Sequence, residues 1–179
     1  IIDINNFFEL NENIKNFQPD FVFHLAAQSL VQKSYSEPIN TWQTNVVGSI
    51  NLLEALKQVN NKCVIIMVTT DKVYKNNEWE YGYRENDSLG GNDPYSASKA
   101  ATEIAIASWR KSFCGEEPYQ SNYLTISCAR SGNVIGGGDW AKDRIVVDAV
   151  LAWSKNKPVK VRNPQATRPW QHVLEPLSG

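Results

Sequence analysis

Several features that would steer a functional reading are missing. The formal net charge is -1, with 18 Lys and Arg against 19 Asp and Glu, so nothing electrostatic draws the chain to nucleic acid or an anionic membrane. No apolar run is long enough to span a bilayer, and no signal peptide stands at the start. The 3 cysteines, Cys63, Cys114 and Cys128, are odd in number, scattered and without metal-ligand spacing, so no metal site is expected. They read as buried reduced thiols, which point to a cytosolic compartment. There is no internal repeat, linker or low-complexity segment. The chain opens on Ile1 rather than Met and stops at Leu177-Ser178-Gly179 with no closing element. It reads as a piece of a longer protein.

What is present is ordinary globular material. The 179 residues, 42% hydrophobic and 21% charged, suffice for one domain with a sizeable core. Ile1 to Ile4 reads as the tail of a strand. Phe7 to Phe17 carries apolar residues near a helical period and ends at Gln18-Pro19-Asp20. Phe21 to Ala27 is a continuous apolar run, the pattern of a strand buried on both faces. A loop with Ser34, Ser36 and Pro38 leads to a long helix over Ile39 to Val59. In that helix Gly48 costs about 1 kcal/mol against Ala, so close packing is expected there. His24, inside the first apolar run, is expected to be a hydrogen-bonded core histidine. Further strands are expected over Cys63 to Val68, Tyr123 to Ala129 and Val159 to Arg162, with a helix over Asp143 to Lys155 and a loop over Arg168 to His172. Strands alternating with helices predict an α/β fold with a doubly wound parallel sheet. Ligands of such sheets bind at the carboxyl ends of the strands. Ala26-Ala27-Gln28, Thr69-Thr70-Asp71 and Arg130 to Asn133 fall there.

One stretch carries chemistry. Asp93 is a good helix N-cap and Pro94 suits the first helical position, so Tyr95 should sit in the first turn of a helix running to about Phe113. Lys99, four residues on, shares its face. An ammonium beside a phenol favours phenolate, giving an acid–base group for neutral pH. The same spacing also describes an exposed helix pair, so the surroundings must decide. Lys75 to Asp93 is long for a loop in a compact domain, which marks functional or minor-structured segments.

Phe23-His24-Leu25-Ala26-Ala27-Gln28, Asn45-Val46-Val47-Gly48, Thr69-Thr70-Asp71, Tyr95 to Lys99 and Arg130 to Asn133 occur in that order. Together they resemble the extended short-chain dehydrogenase/reductases, and within them the sugar-nucleotide 4,6-dehydratases. Asp71-Lys72-Val73-Tyr74, Gly132 to Ala141 and Arg162 to Gly179 resemble the CDP-glucose type. The resemblance covers essentially the whole chain. It implies a Rossmann-type fold, NAD as cofactor and CDP-glucose as substrate. It also places the substrate-binding region from about residue 131 onward. The Gly-rich strand–turn–helix that holds the dinucleotide pyrophosphate would lie before Ile1. Gly136-Gly137-Gly138 does not replace it, because it leads into Asp139-Trp140 rather than a helix. This piece alone is therefore expected to bind NAD weakly or not at all.

The implied reaction oxidises C4, eliminates water across C5 and C6, and returns hydride to C6. Tyr95 would take the C4 hydroxyl proton, Lys99 would keep the phenol acidic and hold the nicotinamide ribose, and Thr70 would orient the hydroxyl. Asp71 would be the acid for the departing C6 hydroxyl, its pKa raised by burial. Lys72 stands where most related dehydratases have Glu as the C5 base. It could be that base, or point outward and pair with Asp71 or phosphate. Asp3, Ile4, Ala26, Ala27, Gln28, Asn45 and Thr69 would contact the cofactor, and Ser29, Asn133, Arg144 and Arg168 the substrate. Thr70 could instead bond its own backbone, Asn45 could be a satisfied helix amide, and either arginine could be an ordinary surface residue. Trp140 and Trp170 are wall or core candidates. The apolar Tyr95–Phe113 helix, with the Ile39–Val59 helix, could form a four-helix homodimer interface or be buried within one subunit.

Overall fold

The computed structural model describes residues 1–117, 120–121 and 123–179. They form two compact units, Ile1–Arg130 and Ser131–Gly179.

The first unit runs α1 (Phe7–Phe17), β1 (Phe21–His24), α2 (Val31–Ser36), α3 (Pro38–Trp42), a π-helical segment (Gln43–Val47), α4 (Gly48–Leu56), β2 (Cys63–Val68), a 3-10 turn (Asp71–Val73), α5 (Pro94–Phe113) and β3 (Leu124–Ala129). The three strands are parallel, in the order β1-β2-β3. Leu10 and Ile14 of α1, Leu53 and Leu56 of α4, and Ile106 of α5 close one core cluster over Ile65, Met67, Leu124 and Ile126. Each strand alternates, as period-2 geometry requires.

The expectation of strands buried on both faces is corrected here. Phe21, Phe23 and Val64 lie exposed in register across the sheet, and Thr125 and Ser127 continue their rows on β3. The helices cover the other face. Ile1 to Ile4 is not a strand. The Asp3 carbonyl accepts from the Asn6 amide at 2.9 Å, and the Ile4 carbonyl accepts from Asn51 Nδ2 at 2.9 Å, so these groups are satisfied by a turn and a side chain. Gly48 has the expected close neighbour: a Cβ there would stand 2.6 Å from Ile4 Cδ1. The segment before Pro38 is helical rather than loop. His24 is buried and its Nε2 lies 2.9 Å from the Ser49 hydroxyl. Burial and the nearby Lys99 charge lower its pKa to about 4.

The second unit runs β4 (Asn133–Ile135), α6 (Ile145–Trp153), β5 (Trp170–His172) and α7 (Leu174–Ser178). β4 pairs with β5 in parallel. Val159 to Arg162 therefore forms no strand, and Trp170 to His172 is a strand rather than loop. α7 covers Leu174–Ser178, where the sequence predicts no element. Val147 is the unit's buried hydrophobic residue among those described, whereas Trp140, Ile145, Val150, Leu151, Trp153 and Trp170 are exposed. No helix among the described residues is long and apolar enough to cross a membrane.

Candidate active site

The start of α5 is built by local chemistry. The Asp93 carboxylate accepts from the Tyr95 and Ser96 amides, both at 3.0 Å, and Ser96 Oγ accepts from the Asp93 amide at 3.2 Å. This reciprocal capping box fixes the first turn. Tyr95 and Lys99 are then both buried, at 8% and 7% exposure, so they are not an exposed helix pair. Lys99 Nζ donates to the Val68 carbonyl at 3.3 Å, at the last residue of β2. Burial lowers the Lys99 pKa to about 8, with the Glu103 carboxylate opposing the shift. It is mostly ammonium at neutral pH and can stabilise a neighbouring phenolate.

Directly beyond Val68, Thr69 and Thr70 are buried and Asp71 and Lys72 half-buried. The Thr70 hydroxyl donates to Asp71 Oδ1 at 3.1 Å and accepts from the Lys72 amide at 3.4 Å, starting the 3-10 turn. Lys72 Nζ lies 6.0 Å from the centre of the Tyr95 ring. Thr70, Asp71, Lys72, Tyr95 and Lys99 are thus brought together at one strand end. Asp71 is less enclosed than the expected buried acid.

A second strand end is tied to the same turn. Asn45, in the π segment and 1% exposed, accepts from the Gln28 amide at 2.8 Å. Its Nδ2 donates to the Gln28 carbonyl at 3.1 Å and to Ser98 Oγ at 2.9 Å. Ser98 Oγ in turn donates to the Tyr95 carbonyl at 2.7 Å. Asn45 therefore fastens the loop after β1 to the tyrosine turn, and π segments are frequent at such places. Ala27 is half-buried in that loop; Ala26 and Ser29 are exposed, as is Asp3, while Ile4 is half-buried beside Gly48.

The segment from Lys75 to Asp93 carries minor structure, as its length suggests. Tyr74 bridges Leu89, and the Tyr74 and Tyr83 rings stack at 4.9 Å. The remaining candidates lie in the second unit. Asn133 is half-buried in β4. Arg144 precedes α6 and pairs with Asp139 at 3.4 Å. Arg168 is exposed and donates to the Thr167 carbonyl at 2.7 Å.

The sequence assigns no role to Glu103 and places Arg130 only at a ligand-facing strand end. Glu103 is 5% exposed and accepts from Thr69 Oγ1 at 2.5 Å. Arg130 Nε donates to its two oxygens at 2.8 and 3.1 Å, with a further bond from the guanidinium terminus. An acid on an otherwise apolar helix face was the available signal, since buried acids are rare unless paired. No group of His, Cys, Asp and Glu among the described residues could hold a metal ion.

The family described as GDP-mannose 4,6 dehydratase matches residues 1–178. The chain belongs to that family. It is 50% identical over 177 residues to CDP-glucose 4,6-dehydratase of Salmonella typhimurium, covering 99% of this chain and 49% of that protein. It is 35% identical over 176 residues to CDP-paratose 2-epimerase of Salmonella typhi, covering 90% of this chain and 48% of that protein. The chain thus spans about half the length of these curated relatives. Among solved structures, UDP-glucose 4-epimerase of Thermotoga maritima superposes with a TM-score of 0.82 at 23% identity, over 97% of this chain and 54% of that one. The dTDP-glucose 4,6-dehydratase DesIV of Streptomyces venezuelae gives 0.78 at 23% identity, over 96% and 49%. These likenesses establish the Rossmann-type parallel α/β fold.

Proposed function

We propose that the protein carrying this chain is an NAD-dependent lyase that converts CDP-glucose to its 4-keto-6-deoxy derivative. The observation that carries the reading is the gathering of Thr70, Asp71 and Lys72 beside the buried Tyr95 and Lys99. An epimerase needs the tyrosine and lysine but not Asp71. A non-catalytic dinucleotide sensor has no use for the set together. The 50% identity to a CDP-glucose 4,6-dehydratase supports the choice of nucleotide.

The residues present fit the nicotinamide end of a dinucleotide. Tyr95 and Lys99 are buried where α5 meets the end of β2, with Thr69 also buried there, and Gln28 and Asn45 follow β1. Asp3, Ile4, Ala26 and Ala27 would complete the cofactor contacts. Among the described residues no Gly-rich turn joins a strand directly to a helix: Gly136 to Gly138 follows β4, but α6 begins at Ile145. When bound, the cofactor supplies reversible hydride acceptance. Tyr95 takes the proton from the C4 hydroxyl, helped by the Lys99 ammonium, while Thr70 orients that hydroxyl. Asp71 delivers a proton to the departing C6 oxygen, and Lys72 removes the C5 proton. Ser29 and Asn133 contact the sugar-nucleotide, and Arg144 and Arg168 offer guanidinium forks to its diphosphate.

Full-length protein incubated with CDP-glucose should develop the alkaline 4-keto chromophore. Tyr95→Phe should lose about 100-fold or more of that rate, and Lys72→Met should lose C5 solvent-deuterium exchange while still reducing NAD. An inert wild-type protein, or an epimerised product, would overturn the reading. The same reading makes the protein a cytosolic homodimer. Ile39, Trp42 and Val47 on the Pro38–Leu56 run and Ile104 on α5 are exposed and would meet a second copy in a four-helix interface. Sedimentation should give a dimer that Ile104→Glu dissociates; a monomeric wild type would refute it.

A further inference from the structure

We propose that Glu103 is a positioning residue that holds Lys99 in register with the end of β2 through a clasp completed by Thr69 and Arg130. The proposal rests on the dehydratase reading above for its kinetic consequence, but not for its geometry.

Two successive residues of the β2 end are bonded to two residues one turn apart on α5. The Val68 carbonyl accepts from Lys99 Nζ at 3.3 Å, and the Thr69 hydroxyl donates to Glu103 Oε1 at 2.5 Å. Side chains four apart on a helix stack on one face, so these rungs lie side by side. They fix how far α5, with Tyr95 and Lys99, stands along β2, whose continuation carries Thr70, Asp71 and Lys72. Arg130, directly after β3, grips the same carboxylate with its fork. Its Nη1 donates to the Glu85 carbonyl at 3.2 Å, and its guanidinium lies 4.6 Å from the Tyr74 ring centre. The clasp thus joins α5, two strand ends and the segment between Lys75 and Asp93.

A carboxylate this buried is costly unless paired and fully hydrogen-bonded, and here it is both. The ionisable groups around Lys99 are Tyr95 and Glu103 on α5, His24 on β1, Lys72 near the Tyr95 ring, and Arg130 across Glu103. Glu103 is the anion among them that favours the ammonium. Removing it frees Lys99 Nζ to shift and makes that ammonium easier to deprotonate.

The test uses full-length protein labelled with 15N-lysine, with the Lys99 Nζ signal assigned by its loss in Lys99→Met. The wild-type signal should titrate near pH 8, the value burial sets for Lys99. In Glu103→Gln the midpoint should fall by about half a unit or more, because a favourable charge has gone. The same variant should lose about 10- to 100-fold in kcat with KM within about twofold, since misplacement acts on chemistry rather than on uniform binding. Its alkaline activity limb should move to lower pH. Thr69→Val, isosteric and uncharged, should lower kcat about fivefold, and Thr69→Ser should restore it. An unchanged Lys99 midpoint in Glu103→Gln, or a rise in KM alone, overturns the proposal. If Glu103→Gln does not fold, equal kcat in Thr69→Val and wild type overturns it. If the wild type has no dehydratase activity, the functional reading fails while the Lys99 titration still decides the clasp.

Discussion

Residues 1–130 seal an apolar core in spite of their bare sheet face, whereas residues 131–179 bury a single hydrophobic side chain among those described. The first unit seals Leu53, Leu56, Ile65, Met67 and Ile106 at 0–1% exposure, and in the same interior it buries a charged group, Glu103. The second unit buries Val147 and leaves Trp153, Leu151 and Val150 at 65%, 47% and 42%. Its apolar cavity, of about 440 Å³ and lined by Ile145, Val150, Trp153 and Trp170 among others, carries almost no polar wall. The difference shows where local sequence suffices. The Tyr95 turn is fixed by a cap, a strand end and a polar clasp all drawn from one unit. The candidates Asn133, Arg144 and Arg168 stand on a unit that gains little from its own packing.

Truncating one leucine in each unit should separate the two most. In the 179-residue chain, Leu53→Ala should cost about 3–5 kcal/mol by urea denaturation, through lost transfer energy and a cavity. Leu151→Ala, on a half-exposed side chain, should cost below about 1 kcal/mol. Equal costs would mean the second unit packs as tightly as the first.

A smaller effect comes from His24. Its folded pKa is about 4 against an ordinary 6.5. Between those values the unfolded chain binds a proton that the folded one does not. Stability is therefore retained above pH 6.5 and falls as pH drops toward 4, by roughly 3 kcal/mol. His24→Asn should flatten that part of the melting-temperature profile relative to wild type; parallel profiles would contradict the buried neutral imidazole.

The smallest expected effects lie at the helix starts. Asp93→Ala removes the α5 cap and should cost about 1 kcal/mol. α6 begins after Arg144 with no side-chain cap, so Arg144→Ser should stabilise by a few tenths of a kcal/mol to about 1. The two variants' thermal melts should shift in opposite directions; shifts of the same sign would mean that the α5 and α6 starts are capped alike.

Much of this was legible in sequence where one signal acts locally. The bounds of α1 follow from periodicity and those of β2 from its apolar run, and the α5 start follows from Asp93-Pro94 alone. The sheet's bare face was not legible, because Phe21-Val22-Phe23 reads the same whether one side or both are covered. β4 and β5 were missed because strands of three residues are decided by their partner more than by their own composition. Val159 and Val161 have strand-forming side chains but pair with no strand among the described residues. Glu103 and Arg130 escaped for a related reason: a helix glutamate and a strand-end arginine look like surface charges until folding brings them to the same carboxylate contact.

The π-helical segment Gln43–Val47 interrupts one continuous helical rod from Pro38 to Leu56. An i→i+5 turn takes in one residue more than an α-turn, and each helical residue advances the chain by about 100°. The segment therefore sets the angular phase between two stripes of one helical rod. Ile39 and Trp42 come before it and face outward, while Leu52, Leu53 and Leu56 come after it and face the core. Losing a single residue there would leave every helix preference intact. It would nonetheless turn the outward stripe and the Asn45 amide about a quarter-turn away from their settings. In this rod the residue count acts as a dial, and composition alone would not reveal a wrong setting.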